Sequence, residues 1–300
     1  MWLLYAFSGP VAWAASIHID KYILEKYFKN GSPAVSMVFT AMIGALMLPF
    51  IAFFVPGIFM LGAAPTAVMI ASGLLYMAGL LFYIYALQSE EASIVAMLSP
   101  VGPILAYALA YLFLGERLTP AQIVGGALVV AGAFIASMRL GGSRVHFRGR
   151  STALMSLAIV CFALSTVIFK FFAVTDLFWP ATFWTYVGEA LFGVGILAFA
   201  SERKIFGRIV KSNPGAVLGV NAMNELVNLG GSLGARFALI IAPLALVQAV
   251  TSTTPLFTFF FAVVITVFLP KLGRENLSRP VIIQKTTAAA LVAIGIWLAG

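Results

Sequence analysis

The chain has 300 residues, 62% of them hydrophobic and only 9% charged, whereas a soluble domain carries about 25% charged residues. A soluble core cannot hide that much apolar surface, and apolar runs of about 20 residues are too long for barrel strands, so the expected fold is an all-α integral membrane protein. The formal charge of +8 sits in short connections between the apolar runs, where it orients the chain in the bilayer; this argues against nucleic acid as a partner.

Turn residues and charges separate about ten predicted transmembrane helices, near 2–19, 34–55, 66–87, 92–114, 121–138, 152–174, 179–200, 215–241, 244–268 and 281–299. The first run ends in Ala12-Trp13-Ala14, which superficially suits a signal peptidase, but no Lys or Arg precedes it, and it is read as a retained helix. His18 and Asp20 close that span beside Lys21; a lone His followed by Asp at a helix end reads as an interfacial cluster rather than a ligand pair. Cys161 has no second cysteine to pair with and reads as a small packing residue.

The longest hydrophilic connection, 139–151, carries Arg139, Arg144, Arg148 and Arg150 and divides the spans five and five. The halves echo each other. Ala86-Leu87 with Pro103 recurs as Ala238-Leu239 with Pro255, both pairs at a separation of 152 (238 − 86 and 255 − 103). Glu116-Arg117-Leu118-Thr119 resembles Glu275-Asn276-Leu277-Ser278, and Ser16 to Lys21 lines up loosely with Ser165 to Lys170. The expected organisation is therefore a first repeat over 1–138, a basic loop over 139–151 and a second repeat over 152–300. With an odd number of helices per half, the second repeat enters the membrane from the opposite side, and inverted pairs of this kind enclose sites near the midplane.

Lys21, Lys26, Lys29, the four central arginines, Arg203, Lys204, Arg208, Lys211, Lys271, Arg274 and Arg279 all fall on one face of such a bundle. The other face has little beyond Arg117, with Lys170 and Arg236 near helix ends. The positive-inside rule puts both termini outside a multi-pass protein of the plasma (inner) membrane.

Ala86-Leu87, Pro100 and Pro103, Gly115-Glu116-Arg117-Leu118-Thr119 and Gly125-Gly126, with their second copy, resemble the EamA-type permeases of the drug/metabolite transporter superfamily over essentially the whole chain. The resemblance implies a ten-helix export carrier or facilitator of amino acids, nucleosides, sugars, drugs or other metabolites, with a central cavity lined by both halves. It implies a small-molecule substrate and the lipid bilayer as partners and no cofactor or metal, and it leaves monomer or homo-oligomer open.

The most informative segment is the eighth span, where Asn221, Asn224, Glu225, Asn228, Ser232 and Arg236 fall within about 120° of one another at helical spacing. Such a stripe climbs about 22 Å at 1.5 Å per residue, most of the hydrocarbon thickness, and cannot face lipid. It lines a substrate pathway or serves as interhelical glue. Glu225 is either a proton-coupling group or half of an internal lock; Arg236 either clamps a substrate carboxylate with its planar fork or snorkels to the headgroups. Glu189 and Lys170 are the other buried-charge candidates, and a salt bridge from Glu189 to Lys170 or Arg236 is the plain alternative. In the ninth span Gln248 precedes Thr251-Ser252-Thr253-Thr254-Pro255; these groups either re-satisfy carbonyls freed by the proline or meet substrate. Trp13 and Tyr83 are candidate amphipathic walls, or packing and interfacial anchors. Gly125, Gly126 and Gly132 are assigned to close helix packing.

A membrane-embedded enzyme would need clustered His, Cys or carboxylates, and there is no HExxH, Cys pair or P-loop. The reading is a secondary transporter of small organic metabolites, with amino-acid-like cargo expected, working by alternating access, with a lipid or lipid-linked sugar flippase as the alternative.

Overall fold

The computed structural model describes residues 1–27, 33–89, 98–138, 149–212, 214–268 and 277–300, and among these there are helices and turns but no strand. The helices are α1 (Trp2–Tyr27), α2 (Pro33–Phe54), α3 (Ala63–Ser89), α4 (Val101–Leu109), α5 (Pro120–Ser137), α6 (Gly149–Phe172), α7 (Phe178–Ala198), α8 (Ala200–Ser212), α9 (Pro214–Ile241), α10 (Leu244–Thr251), α11 (Thr254–Phe268) and α12 (Arg279–Ala299). Wider π turns, Ala110–Leu114 and Ala173–Leu177, extend α4 and α6. Among the described residues seven stretches are long and apolar enough to cross a membrane, Leu244–Phe268 counting as one.

Sequence chemistry accounts for several of these boundaries. Thr119 caps α5: its hydroxyl accepts from the Gln122 N–H at 3.3 Å while Gln122 Oε1 accepts from the Thr119 N–H at 3.0 Å. This reciprocal box satisfies two of the donors a helix start leaves open, and Pro120 follows where no N–H is needed. Gly115 ends the preceding π turn at φ +67°, a left-handed conformation that a side chain disfavours. The run from Gly115 to Pro120 is thus a stop signal followed by a start signal.

Three departures from the expected spans have physical causes. First, α1 continues to Tyr27, well past residue 19, because a helix does not stop where its side chains become polar. Second, 200–212 forms a helix of its own, α8, whose Ile205, Phe206, Ile209 and Val210 pack on Val35, Phe39 and Val217 while Arg203, Lys204, Arg208 and Lys211 are exposed. Third, the ninth span breaks at Ser252-Thr253. There Pro255 has no N–H to offer the Thr251 carbonyl, and the Thr254 hydroxyl donates to that carbonyl at 2.8 Å instead. The basic loop's residues 139–148 lie outside the described residues, and Gly149 to Ser151 already belong to α6. Lys21, Lys26, Lys29, Lys271, Arg274 and Glu275-Asn276 likewise carry no described side chain.

Two pairings bring backbones close. A Cβ on Gly125 would lie 2.5 Å from the Gly295 carbonyl oxygen, and one on Gly295 would lie 2.6 Å from that of Gly125, so α5 and α12 pack backbone to backbone. Gly73 of α3 and Gly188 of α7 do the same. Besides these, α1 packs along α9, α3 along α6, and α2 along α7. Gly126 faces Leu246, and Cys161 lies against Gly79.

Candidate functional site

The polar stripe of α9 is buried in the bundle. Asn221, Asn224 and Glu225 are buried, and Asn228, Ser232 and Arg236 are half-buried. Burial follows from spacing: these residues share one face, and that face is the one packed on α1 and α2. Asn221 Nδ2 donates to its own helix at the Val217 carbonyl, 2.6 Å away, whereas Asn224 Nδ2 donates across to Asp20 Oδ1 of α1 at 2.6 Å. The Thr40 hydroxyl of α2 donates to Glu225 Oε1 at 2.9 Å, and the Asn228 side chain also hydrogen-bonds Glu225. Asp20, exposed at the end of the cluster, accepts a further bond from Ser16 Oγ at 3.4 Å.

Three turns further along α9, Arg236 Nη2 meets Glu189 Oε1 of α7 at 3.0 Å. The guanidinium lies over the rings of Tyr186, 4.7 Å from its centroid, and Phe169, 5.1 Å away, where its flat face gains from the ring electrons. Arg236 therefore points into the bundle rather than up to the headgroups. Its Nη1 is buried without a hydrogen-bond partner, as are the hydroxyls of Thr182, Thr185 and Tyr186. Those three residues and Glu189 recur at i, i+3, i+4 and i+7, making a second polar stripe on α7 that sequence reading missed. The signal was there at helical period, diluted among Phe183, Trp184 and Val187.

Lys170 belongs to a different cluster. Its Nζ meets Glu116 Oε1 at 2.5 Å and donates to the Ala242 carbonyl at 2.6 Å. Glu116 Oε2 accepts the Leu244 N–H at 2.8 Å, capping the start of α10. One carboxylate and one ammonium thus join the α4–α5 turn, α6, the end of α9 and the start of α10. Glu116 was legible only as part of a repeated turn motif, and its pairing joins opposite halves of the chain.

Gln248 Nε2 donates to Thr166 Oγ1 at 3.2 Å, and the Thr251 hydroxyl donates to the Gln248 carbonyl at 2.9 Å. The hydroxyls of Ser252 and Thr253 bond back to Ala249 and Val250, so this run satisfies backbone near the break. Trp13 is half-buried against Gly9 on α1, and Tyr83 packs with Met155, Ala158 and Ile159 between α3 and α6. Among the described residues no group of three or more His, Cys, Asp or Glu could hold a metal ion.

Such a buried polar seam through an apolar bundle is what a solute carrier requires. Residues 1–138 match the EamA-like transporter family. The motif resemblance is thereby sustained over that stretch, and with seven stretches among the described residues long and apolar enough to cross a bilayer the chain is a multi-pass integral membrane protein. Over 69 residues it is 42% identical to an uncharacterised protein of Methanocaldococcus jannaschii, a stretch that is 23% of this chain and 50% of that protein. The chain thus spans about half the length of that curated relative. A solved crystal structure superposes with a TM-score of 0.66 at 18% identity, covering 99% of this chain and 97% of that one. That likeness speaks for the fold alone.

Proposed function

We propose that the chain is a secondary transporter of small organic metabolites, amino-acid-like in their mixed polarity, that works by alternating access between two inverted five-helix repeats, 1–138 and 152–300. The observation that carries this reading is the seam itself: Asn221, Asn224, Glu225, Asn228, Ser232 and Arg236 stack along α9 inside the bundle, and Arg236 keeps a buried donor unpaired. A membrane interior tolerates such groups where they serve a pathway or a partner. The alternation of packing also supports it, because the pairing of α1 with α9 has its counterpart under inverted symmetry in that of α6 with α3. In this reading α1, α9 and the short apolar stretch Val101–Leu114 join the seven apolar spans found among the described residues to make ten crossings.

The orientation with both termini outside has support from charge that survives folding. Lys170 and Arg236, which the sequence put on the sparsely charged face, are each neutralised by a glutamate. Arg203, Lys204, Arg208 and Lys211 stay exposed on α8, so the asymmetry read by the positive-inside rule grows rather than shrinks.

Purified protein in proteoliposomes should catalyse saturable counterflow of one class from a panel of labelled amino acids, nucleosides and sugars. Absence of flux for the whole panel, from protein that remains monodisperse, would shift the assignment to lipid or lipid-linked sugar flipping.

A further inference from the structure

Four acidic side chains described above make polar contacts with the bundle, Glu189 and Glu225 buried, Glu116 half-buried and Asp20 exposed, and they divide in two. Glu116 is matched by Lys170 and Glu189 by Arg236. Asp20 and Glu225 are not matched: their hydrogen-bond partners are Ser16, Thr40, Asn224 and Asn228, all neutral, and among the described residues no Lys, Arg or His nitrogen lies within 4.0 Å of either. The carboxylates that act electrostatically on Glu225 are Asp20 and Glu189, both like in sign, and Glu189 is already cancelled by Arg236. Neutral donors orient a buried carboxylate but leave its charge in place, and uncompensated charge in a low-dielectric interior is costly.

A second observation points into the same place. Asn224 is only 1% exposed; its amide nitrogen is committed to Asp20, and its Oδ1 is buried with no partner. Asn224 thus carries an open acceptor on the same side chain that holds Asp20, one residue along α9 from Glu225. Asp20 is exposed while Asn224 and Glu225 are buried behind it, so the cluster has an open side and a closed one.

We propose that Asp20, Glu225 and Asn224 Oδ1 form a binding site for a compact cation: the ammonium group of an organic solute, or a hard metal ion. An oxygen-only acceptor set suits these and offers nothing to softer metals. Arg236 lies eleven residues further along α9 (236 − 225), about 16 Å at 1.5 Å per residue. The Arg236 guanidinium is already paired with Glu189, so the cation site is carried by the acid pair and not by that end of the seam. The inference rests on reading the seam as a transport route and narrows what enters it to a positively charged group.

The test is calorimetric titration of the purified full-length protein in detergent with ethylammonium, sodium and magnesium chlorides separately. At least one should bind saturably, and which one separates the solute from the metal source. Asp20→Asn and Glu225→Gln should each weaken it at least tenfold and Asn224→Leu several-fold, whereas Glu202→Gln on α8 should leave it unchanged. Gel filtration and helical circular dichroism of each variant distinguish loss of the site from loss of the fold. Binding of none of the three cations, or binding indifferent to both acid substitutions, overturns the proposal. Counterflow with the same preparations is read independently: flux without cation binding removes the site and keeps the carrier, and cation binding without any flux does the reverse.

Discussion

At the scale of single residues, the interior is organised by two acid–base pairs that differ in their surroundings. Lys170 and Glu116 hold four backbone segments together, and removing one partner strands the other in an apolar setting. A double-mutant cycle with Glu116→Gln and Lys170→Met, read from thermal unfolding in detergent, should give a coupling energy of about 1–3 kcal/mol. Additive effects would mean the pair is incidental. Arg236→Lys keeps the charge but loses the flat fork lying over Tyr186 and Phe169; counterflow should fall at least tenfold if the unpaired Nη1 meets cargo, with the fold retained. Lone charges inside apolar runs made Glu189, Glu225, Lys170 and Arg236 visible from sequence. Their partners were less visible. Glu116 sits in a turn that reads as loop chemistry, and Asp20 sits where a helix end was expected, so neither was matched from sequence with Lys170 or with Asn224.

At the scale of elements, the helix starts and the close approaches carry the checkable consequences. Thr119→Ala removes the side-chain acceptor of the α5 capping box and should cost about 1 kcal/mol, measured as a lowered unfolding midpoint. Gly125→Val drives a branched side chain into the Gly295 carbonyl and should destabilise by about 3 kcal/mol or prevent assembly; Gly126→Val, which meets only Leu246 at 3.6 Å, should be milder. Equal effects at the two glycines would contradict the packing described. The spans themselves were legible, since apolar runs bounded by charge are a strong signal in a membrane protein. The helix α8 was not, because four cations in thirteen residues read as a loop, and its apolar stripe declares itself only once Val35, Phe39 and Val217 are in place to receive it. The break at Ser252-Thr253 lies just before Pro255, whose missing donor was legible, at a place where hydroxyls can replace it.

At the scale of the molecule, the motifs pointed to the family because they are turn and packing signals that any member needs, and for the same reason they say nothing of cargo. Orientation is a separate matter, and cysteine labelling settles it: with Cys161 replaced by Ala, Lys204→Cys on α8 should react with an impermeant maleimide only from the cytoplasmic side, and Gly300→Cys only from the outside. The α5–α12 contact bears on motion. Side chains that interlock can slide and re-pack, but two backbones already touching can neither approach further nor separate without opening a void. If the two halves alternate as proposed, the α5–α12 edge and the Gly73–Gly188 contact of α3 with α7 would both hold their spacing, as two hinges hold a door to its jamb while the leaf turns.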